Sequence, residues 1–375
     1  MTTAEKQYFS LLRVALWGTP ADITEPIDWD AVMRIAEHHG NNVLLSDVAL
    51  RLEKSNGPSP QWAVRMQSEM RANLFGQMQL KRILVSAVKL LREHHIEPVL
   101  LKGFGLASLY PNPGLRQFGD IDIFVGLSDF HPACAALRTM QGGYTWGEEE
   151  DVGRHFNIEF GQYPMEVHRL SADVEDPKQR QVYDGIEREG LMKTPQQMIL
   201  EGFPLTIPSK DFVVFFTFFH AWHHFLTTGV GWRQLSDVAM ALHAYHDQLD
   251  LDKLRRWLVS MQVMQPWQAF GWLMVAHLGL PEAEMPFYNP SCRPVAQKLY
   301  SRIMLEGNFR RPNRYKYAKP KSRIAKKVHS FIGIFVDFFQ LASVFPKQAF
   351  SEMAIRLKTS FSKNFQKKMN FIREV

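Results

Sequence analysis

The chain has 375 residues, 46% of them apolar and 22% charged, which is a globular composition with length for two or three domains. Its two cysteines, Cys134 and Cys292, stand far apart and exclude a disulfide-stapled scaffold or an all-cysteine zinc site. The net charge of +6 is unevenly spread: residues 301–375 hold 17 Lys and Arg against 4 Asp and Glu, so the first 300 residues are net −7.

The N-terminus, MTTAEKQYFSLL, has no basic segment followed by an apolar one, so no signal peptide is expected and a cytoplasmic location is. No stretch of 18 or more residues is uniformly apolar, so no spanning helix is expected. Residues 1–93 read as a helical region. Phe9, Leu11, Leu12, Val14, Ala15 and Leu16 open an amphipathic segment, and Asp28 caps a helix over Trp29–His39. Gly57, Pro58 and Pro60 mark a break. A long helix then runs over 61–93, with Leu74, Met78, Leu80, Leu84, Val88 and Leu91 at helical spacing.

Residues 94–170 change character. The apolar run Val99-Leu100-Leu101 after Pro98 predicts a strand that meets a glycine turn at Lys102-Gly103 and then a helix. Tyr110-Pro-Asn-Pro-Gly114 is a loop. Ile121–Val125 alternates as a strand. Ser128 caps a helix through Met140, ended by Gly142-Gly143. Two further strands are expected near 155–160 and 164–170, split by Gly161 and Pro164. Residues 171–290 return to helix, with the aromatic-dense Phe212–Phe225 and the amphipathic Gly231–His246. Residues 291–375 form a basic helical tail with a linker-like stretch at 308–323. The fold class is α+β: a small strand–helix core in a mainly helical protein.

The sharpest chemical signal is Gly119-Asp120-Ile121-Asp122-Ile123. Residues i and i+2 of a strand share a face, so Asp120 and Asp122 present two carboxylates side by side. Like charges that close raise each other's pKa, and a divalent cation removes the cost. Oxygen-only ligation suits Mg²⁺ or Mn²⁺. A bare Asp-x-Asp is also what a solvated strand face looks like. Here the pair is embedded in Ile121, Ile123, Phe124 and Val125, as in a half-buried central strand. Gly103, 17 residues upstream of Asp120, allows backbone N–H groups to approach a phosphate at a helix start. Downstream, Met165-Glu166-Val167-His168 brings a third carboxylate on another alternating strand, with His168 on the same face as Glu166. Glycine turn, paired-aspartate strand and later carboxylate strand are the parts of a two-metal nucleotidyl-transfer site.

The run from Leu100 to Val125, Leu-Leu-Lys-Gly-Phe-Gly through Tyr-Pro-Asn-Pro-Gly-Leu-Arg-Gln-Phe-Gly-Asp-Ile-Asp-Ile-Phe-Val, closely resembles the bacterial uncharacterised nucleotidyltransferase family of the polymerase-beta-like superfamily. The Glu166-Val-His168 strand and the later Gly231-Trp-Arg-Gln-Leu-Ser-Asp-Val-Ala-Met-Ala-Leu242 segment extend the resemblance over roughly residues 8–245. It implies a minimal nucleotidyltransferase core at 94–170, completed by a helical domain at 171–290. Asp120, Asp122 and Glu166 match the metal-binding and catalytic carboxylates, and Gly103 the first glycine of the phosphate-holding turn. The next residue is Phe104 where the superfamily has Gly or Ser, so the usual side-chain hydroxyl on the triphosphate is missing. That puts nucleotide affinity and donor identity in question more than metal binding.

Lys102 and Arg116 are candidates for the compensating phosphate charge, and for Arg116 the plain reading is a surface arginine. His168 is a candidate to orient a ligand or act as a base, or a structural histidine. His220 and His224 are helical i,i+4 neighbours, a spacing that holds zinc, but no HExxH glutamate accompanies them. Satisfied core histidines are the plain reading, with nucleotide or acceptor contact by His220 the functional one. Arg233 and Asp237 read as a helix salt bridge, and the resemblance implies that they face the site. Cys134 reads as a small packing residue.

In the tail, Phe331, Ile334, Phe335, Phe338, Phe339, Ala342 and Phe345 form a wide apolar face after Lys326-Lys327. Docking on the protein's own core or on a partner protein is the first reading. An anionic membrane surface, with a membrane-peripheral location, is the second, and nucleic acid along the basic flanks is supported by no motif. The sequence thus points to metal-dependent transfer of a nucleoside monophosphate from an NTP, ATP foremost, to an acceptor it does not identify. A silent nucleotide-binding relative, or an interaction protein recruited by its tail, are the competing readings.

Overall fold

The computed structural model describes residues 1–140, 142–145 and 155–308, together with tail residues 322, 335, 338, 339, 341–346, 348–350, 353 and 354. Thr2 and Glu5 form a capping box that starts α1 (Thr3–Trp17). The Asp28 carboxylate accepts from the Ala31 N–H and starts α2 (Trp29–His39), as the sequence predicts. α3 (Asn42–Arg51), within the region read as helical but not singled out there, follows at once, with Asn41 at its N-cap making no side-chain cap bond. α4 (Pro60–Glu93) begins at Ser59-Pro60 and runs 34 residues. Only one stripe of it is core. Leu80, Leu84, Val88 and Leu91 are buried, whereas Leu74 and Met78, at the same spacing, are about half exposed.

The strands and their helices follow as β1 (Val99–Leu100), α5 (Phe104–Ala107), β2 (Ile121–Phe124), α6 (Gly126–Leu137), β3 (Gly143–Thr145), β4 (His155–Phe160) and β5 (Tyr163–His168). α6 starts three residues earlier than the Ser128 cap predicts, because Gly126 at φ +77° turns the chain straight off β2. It also ends at Leu137, short of Met140. Then come α7 (Pro177–Glu187), β6 (Gln196–Leu200), β7 (Phe203–Ile207), α8 (Lys210–Leu226), α9 (Trp232–Tyr245), α10 (Leu251–Ser260), α11 (Met264–Leu273) and α12 (Arg293–Glu306).

The β6–β7 hairpin corrects the reading of 171–290 as helix. Its two-residue turn, Glu201-Gly202, has positive φ at both positions, the form that suits hairpin twist. The described strands make one seven-stranded mixed sheet in the order β3-β4-β5-β2-β1-β7-β6. β2 pairs in parallel with β5, and β1 in parallel with β7; the other pairings are antiparallel. β2 is central, and all four of its residues are buried.

One core packs α4 and α6 against this sheet and includes Cys134. The other lies among the helices, where the Phe215 and Phe219 rings of α8 stack at 5.6 Å and Phe218 meets Trp267 edge-on at 5.1 Å. The described part of the tail docks there: Leu341, Phe345 and Ala349 belong to this core, and the Phe345 ring meets Trp222 edge-on at 5.1 Å. Phe339, on the apolar face read from the sequence, is 67% exposed. Phe331, Ile334 and, apart from Asn308 and Ser322, the stretch 308–323 lie outside the described residues. Among the described residues no helix is long and apolar enough to cross a membrane.

Candidate functional site

Parallel register brings the carboxylates together. Asp122 of β2 stands opposite Glu166 of β5, and Asp120 lies one residue before β2, two residues from Asp122. Asp122 is fully buried, and Glu166 keeps about a quarter of its side chain exposed. Two partners converge on one Asp122 oxygen. Lys102 Nζ and His168 Nε2 each lie 3.0 Å from Oδ1. His168 Nε2 is also 3.3 Å from Glu166 Oε2. The second Asp122 oxygen, Oδ2, is buried with no hydrogen-bond partner, and so is His168 Nδ1.

These environments drive the two aspartates apart. Burial works to raise the Asp122 pKa, but the Lys102 ammonium and the His168 bond outweigh it and hold the carboxyl well below the usual carboxylate range. Asp120 goes the other way: burial and the neighbouring Asp122 charge raise it. Burial opposes charge on Lys102 too, yet Asp122, Asp120 and Glu166 together raise its pKa. Glu166 is lowered against its own burial, chiefly by the His168 bond. An orphaned buried oxygen, a raised aspartate beside it and a third carboxylate make an oxygen-rich set that a hard divalent cation fits.

Lys102 and Gly103 form the turn between β1 and α5. Gly103 has φ +65° and ψ −114°, a conformation that favours glycine strongly. α5 is a single turn, so its dipole contributes little; the expected helix start is present but short. Phe104 is buried and packs edge-on against Phe118 at 4.9 Å. The residue that replaces the superfamily's Gly or Ser is therefore part of the wall behind the turn.

α8 and α9 supply the facing wall. A cleft of about 190 Å³ is lined by Lys102, Gly103, Asp120 and Glu166 on one side and by His220, His224 and Arg233 on the other, with Arg116 and Asp237 also reaching it. Arg116 is neither a surface residue nor an uncommitted phosphate fork. Its Nε and Nη2 donate to the two Asp237 oxygens at 2.6 and 2.8 Å, and Nη1 donates to the Gly103 carbonyl at 3.4 Å. Tyr110 donates a third bond to Asp237 at 2.7 Å. Asp237 thus takes Arg116 as its main partner. The helical neighbour Arg233 lies only 3.9 Å from Oδ2 and donates to the Gln117 carbonyl at 3.3 Å. Burial and the nearby Arg116 lower the Arg233 pKa, with Asp237 opposing. His220 and His224 face each other, Nε2 to Nε2 at 3.0 Å.

Eight of the ten residues singled out from the sequence line this cleft, and Asp122 and His168 stand behind its lining. Sequence reading gave no role to Tyr110, Phe118 and Gln234, although they lie in the quoted motif stretches, and missed Thr217, which no motif marks, and His155. That histidine opens β4 opposite His168, and only strand register could have found it.

The family model described as uncharacterised nucleotidyltransferase matches residues 25–279. No curated protein sequence matches the chain. Among solved structures, ANT(2'')-Ia in complex with adenylyl-2''-tobramycin is similar at 15% identity and a TM-score of 0.34, over 50% of this chain and 96% of that one. An antigenic nucleotidyltransferase-like protein from Paracoccidioides brasiliensis is similar at 11% identity and a TM-score of 0.35, over 56% and 97%. JHP933 from Helicobacter pylori is similar at 14% identity and a TM-score of 0.31, over 60% and 93%.

Proposed function

The chain belongs to the uncharacterised nucleotidyltransferase family, and from that premise we propose that it is a metal-dependent enzyme moving a nucleoside monophosphate from an NTP, ATP foremost, to a hydroxyl or phosphate acceptor. The supporting observation is register: Asp122 opposite Glu166 with Asp120 beside them, at a cleft whose other wall carries Arg233 and His220.

Asp120, Asp122 and Glu166 are the residues that would hold Mg²⁺ or Mn²⁺. Such an ion, when bound, offsets phosphate charge and acidifies an attacking hydroxyl. His168 and Lys102 fix Asp122 by Oδ1 and leave Oδ2 uncommitted. Lys102, the Gly103 turn and Arg233 bind the triphosphate, while Arg116, locked to Asp237, holds the turn and α9 in place. Glu166, partly exposed, accepts a hydrogen bond from the acceptor hydroxyl, aims its oxygen at the α-phosphorus and takes up its proton as that oxygen attacks. The bond to pyrophosphate breaks as the new oxygen–phosphorus bond forms. His220 lies on the wall where the donor base or acceptor would rest. A nucleotide-binding relative without turnover is the second reading, favoured by Phe104 in place of a hydroxyl-bearing residue.

The test is incubation with each α-³²P-labelled NTP, Mg²⁺ or Mn²⁺ and cell extract, beside Asp120→Asn. Label transferred by the wild type alone is the expected result, and the labelled species names the acceptor class. Metal-dependent NTP binding without transfer favours the second reading. The absence of both binding and transfer overturns the assignment of the three carboxylates.

A further inference from the structure

We propose that His155, Glu166 and His168 form a binding site for a transition-metal ion of the Zn²⁺ class, distinct in chemistry from the carboxylate set at Asp120 and Asp122. His155, the first residue of β4, is the direct cross-strand partner of His168, the last residue of β5. Glu166 lies two residues before His168 and so shares its face. Each of the three offers one donor atom, an imidazole nitrogen or a carboxylate oxygen, and these lie within 4.8 Å of one another. Glu166 Oε2 stands 4.0 Å from the first nitrogen and 3.3 Å from the second. A tetrahedral ion with bonds of about 2.1 Å needs donor atoms about 3.4 Å apart. One edge already fits, and the edge from Glu166 Oε2 to His155, a quarter exposed at a strand start, is about 0.6 Å too long.

The donor types decide the ion. Two imidazoles and one carboxylate suit Zn²⁺, Co²⁺, Fe²⁺ or Mn²⁺, whereas Mg²⁺ takes oxygen. The site also has a cost. His168 Nε2 lies 3.0 Å from Asp122 Oδ1, and ligation through Nε2 moves its proton to Nδ1, which is buried without an acceptor. Ligating histidines that lack such an outer hydrogen bond bind about 10–100-fold more weakly. The site is therefore a moderate, exchangeable one and not a closed structural zinc centre. The inference and the nucleotidyl-transfer reading share Glu166 and compete for His168, whose Nε2 holds Asp122 in the latter.

The test is titration of the metal-stripped full chain with Co²⁺, read by visible d–d absorption and by competition with Zn²⁺. Saturable binding is expected, weakened at least about tenfold in His155→Ala and unchanged in His243→Ala, an exposed histidine outside the cleft. Circular dichroism of His155→Ala shows that the sheet is intact, and His155→Cys, which restores a soft donor, is expected to recover binding. Binding that His155→Ala leaves unchanged, or no saturable binding in the wild type, overturns the proposal. Label transfer lost in Asp120→Asn bears on the nucleotidyl-transfer reading and not on this one, so the two fail separately.

Discussion

Arg116 grips Asp237 through two parallel hydrogen bonds of 2.6 and 2.8 Å, with both side chains almost fully buried. The pair ties the loop before β2 to α9, so it sets how the two walls of the cleft meet. Breaking one partner of such a pair strands a buried charge. Asp237→Ala should therefore cost about 3–5 kcal/mol in urea unfolding. The double variant Arg116→Met/Asp237→Leu should recover most of that loss while leaving nucleotide binding impaired, because the Gly103 carbonyl loses its donor too. A loss below about 1 kcal/mol in Asp237→Ala would show that the pair does not hold the walls.

Asp120 and Asp122 should separate activity from stability. Asp120 is raised by burial and by its neighbour's charge, so removing its charge relieves repulsion. Asp120→Asn should leave stability unchanged or improve it by up to about 1 kcal/mol. Transfer should fall on the order of 10³-fold, as when a preorganised electrostatic group is lost. Asp122→Asn should lose transfer and stability together, since Lys102 and His168 would face an uncharged partner. Thermal melts and label transfer, read side by side on both variants, decide this.

Two glycines near the site make a controlled comparison. Gly103 has positive φ, and a Cβ there would come no closer than 3.5 Å to Phe118 and 3.7 Å to the Asp120 carbonyl, so the obstacle is backbone strain and not space. Gly103→Ala should cost about 1–3 kcal/mol and weaken nucleotide binding. Gly119→Ala meets nothing within 4 Å and has no positive φ, so it should be near neutral. Equal effects in the two, by chemical denaturation, would remove the backbone account of Gly103.

Local signals were legible where one short motif decides the outcome. The Asp28 cap, the break at Gly57–Pro60 before the long helix, the β2 alternation and the paired aspartates all read directly from sequence, and the structure folds α2, α4 and β2 accordingly. What escaped depends on distant pairing. β6 and β7 are a strand hairpin whose Glu201-Gly202 turn is not one of the strong dipeptide signals, and β7 is fixed by pairing with β1, over a hundred residues away. The Arg116–Asp237 bond is likewise invisible in sequence, because its partners lie 121 residues apart. Asp237 was read against Arg233, its nearest opposite charge on the helix, yet burial gave it to Arg116. The His155–His168 pairing needs the β4–β5 register, which no single residue encodes.

His39 predicts an acid limb in stability. It is fully buried, neither ring nitrogen has a hydrogen-bond partner, and burial, helped by His38, lowers its pKa to about 3. The unfolded chain takes up this proton near pH 6.5, while the folded chain resists it down to about 3. Stability is therefore complete above about pH 6.5 and falls as pH drops through that window, by about 1.4 kcal/mol per pH unit from this group alone. His277, lowered to about 4 by burial and Arg13, adds to the same limb. His39→Leu should reduce the slope of unfolding free energy between pH 6 and pH 4 by about one proton, with little loss at pH 7. An unchanged slope would mean that His39 is protonated in the folded state.

The tail offers a test of what its aromatic residues do. Phe345 is fully buried on Trp222 within the helical core, whereas Phe339, on the same apolar face of the sequence, is 67% exposed. Burying a phenylalanine and then removing it leaves a cavity in addition to the lost transfer energy, about 3–5 kcal/mol together. Phe345→Ala should therefore lower the melting temperature of the whole protein, and Phe339→Ala should change it by less than about 0.5 kcal/mol equivalent. If Phe345 served only to reach a partner or an anionic surface, both variants would leave the melt unchanged and alter only binding to that surface. A large effect for Phe345 with none for Phe339 assigns this stretch to the fold, and leaves the exposed aromatic residues and the basic charge of 301–375 as the part available to an outside partner.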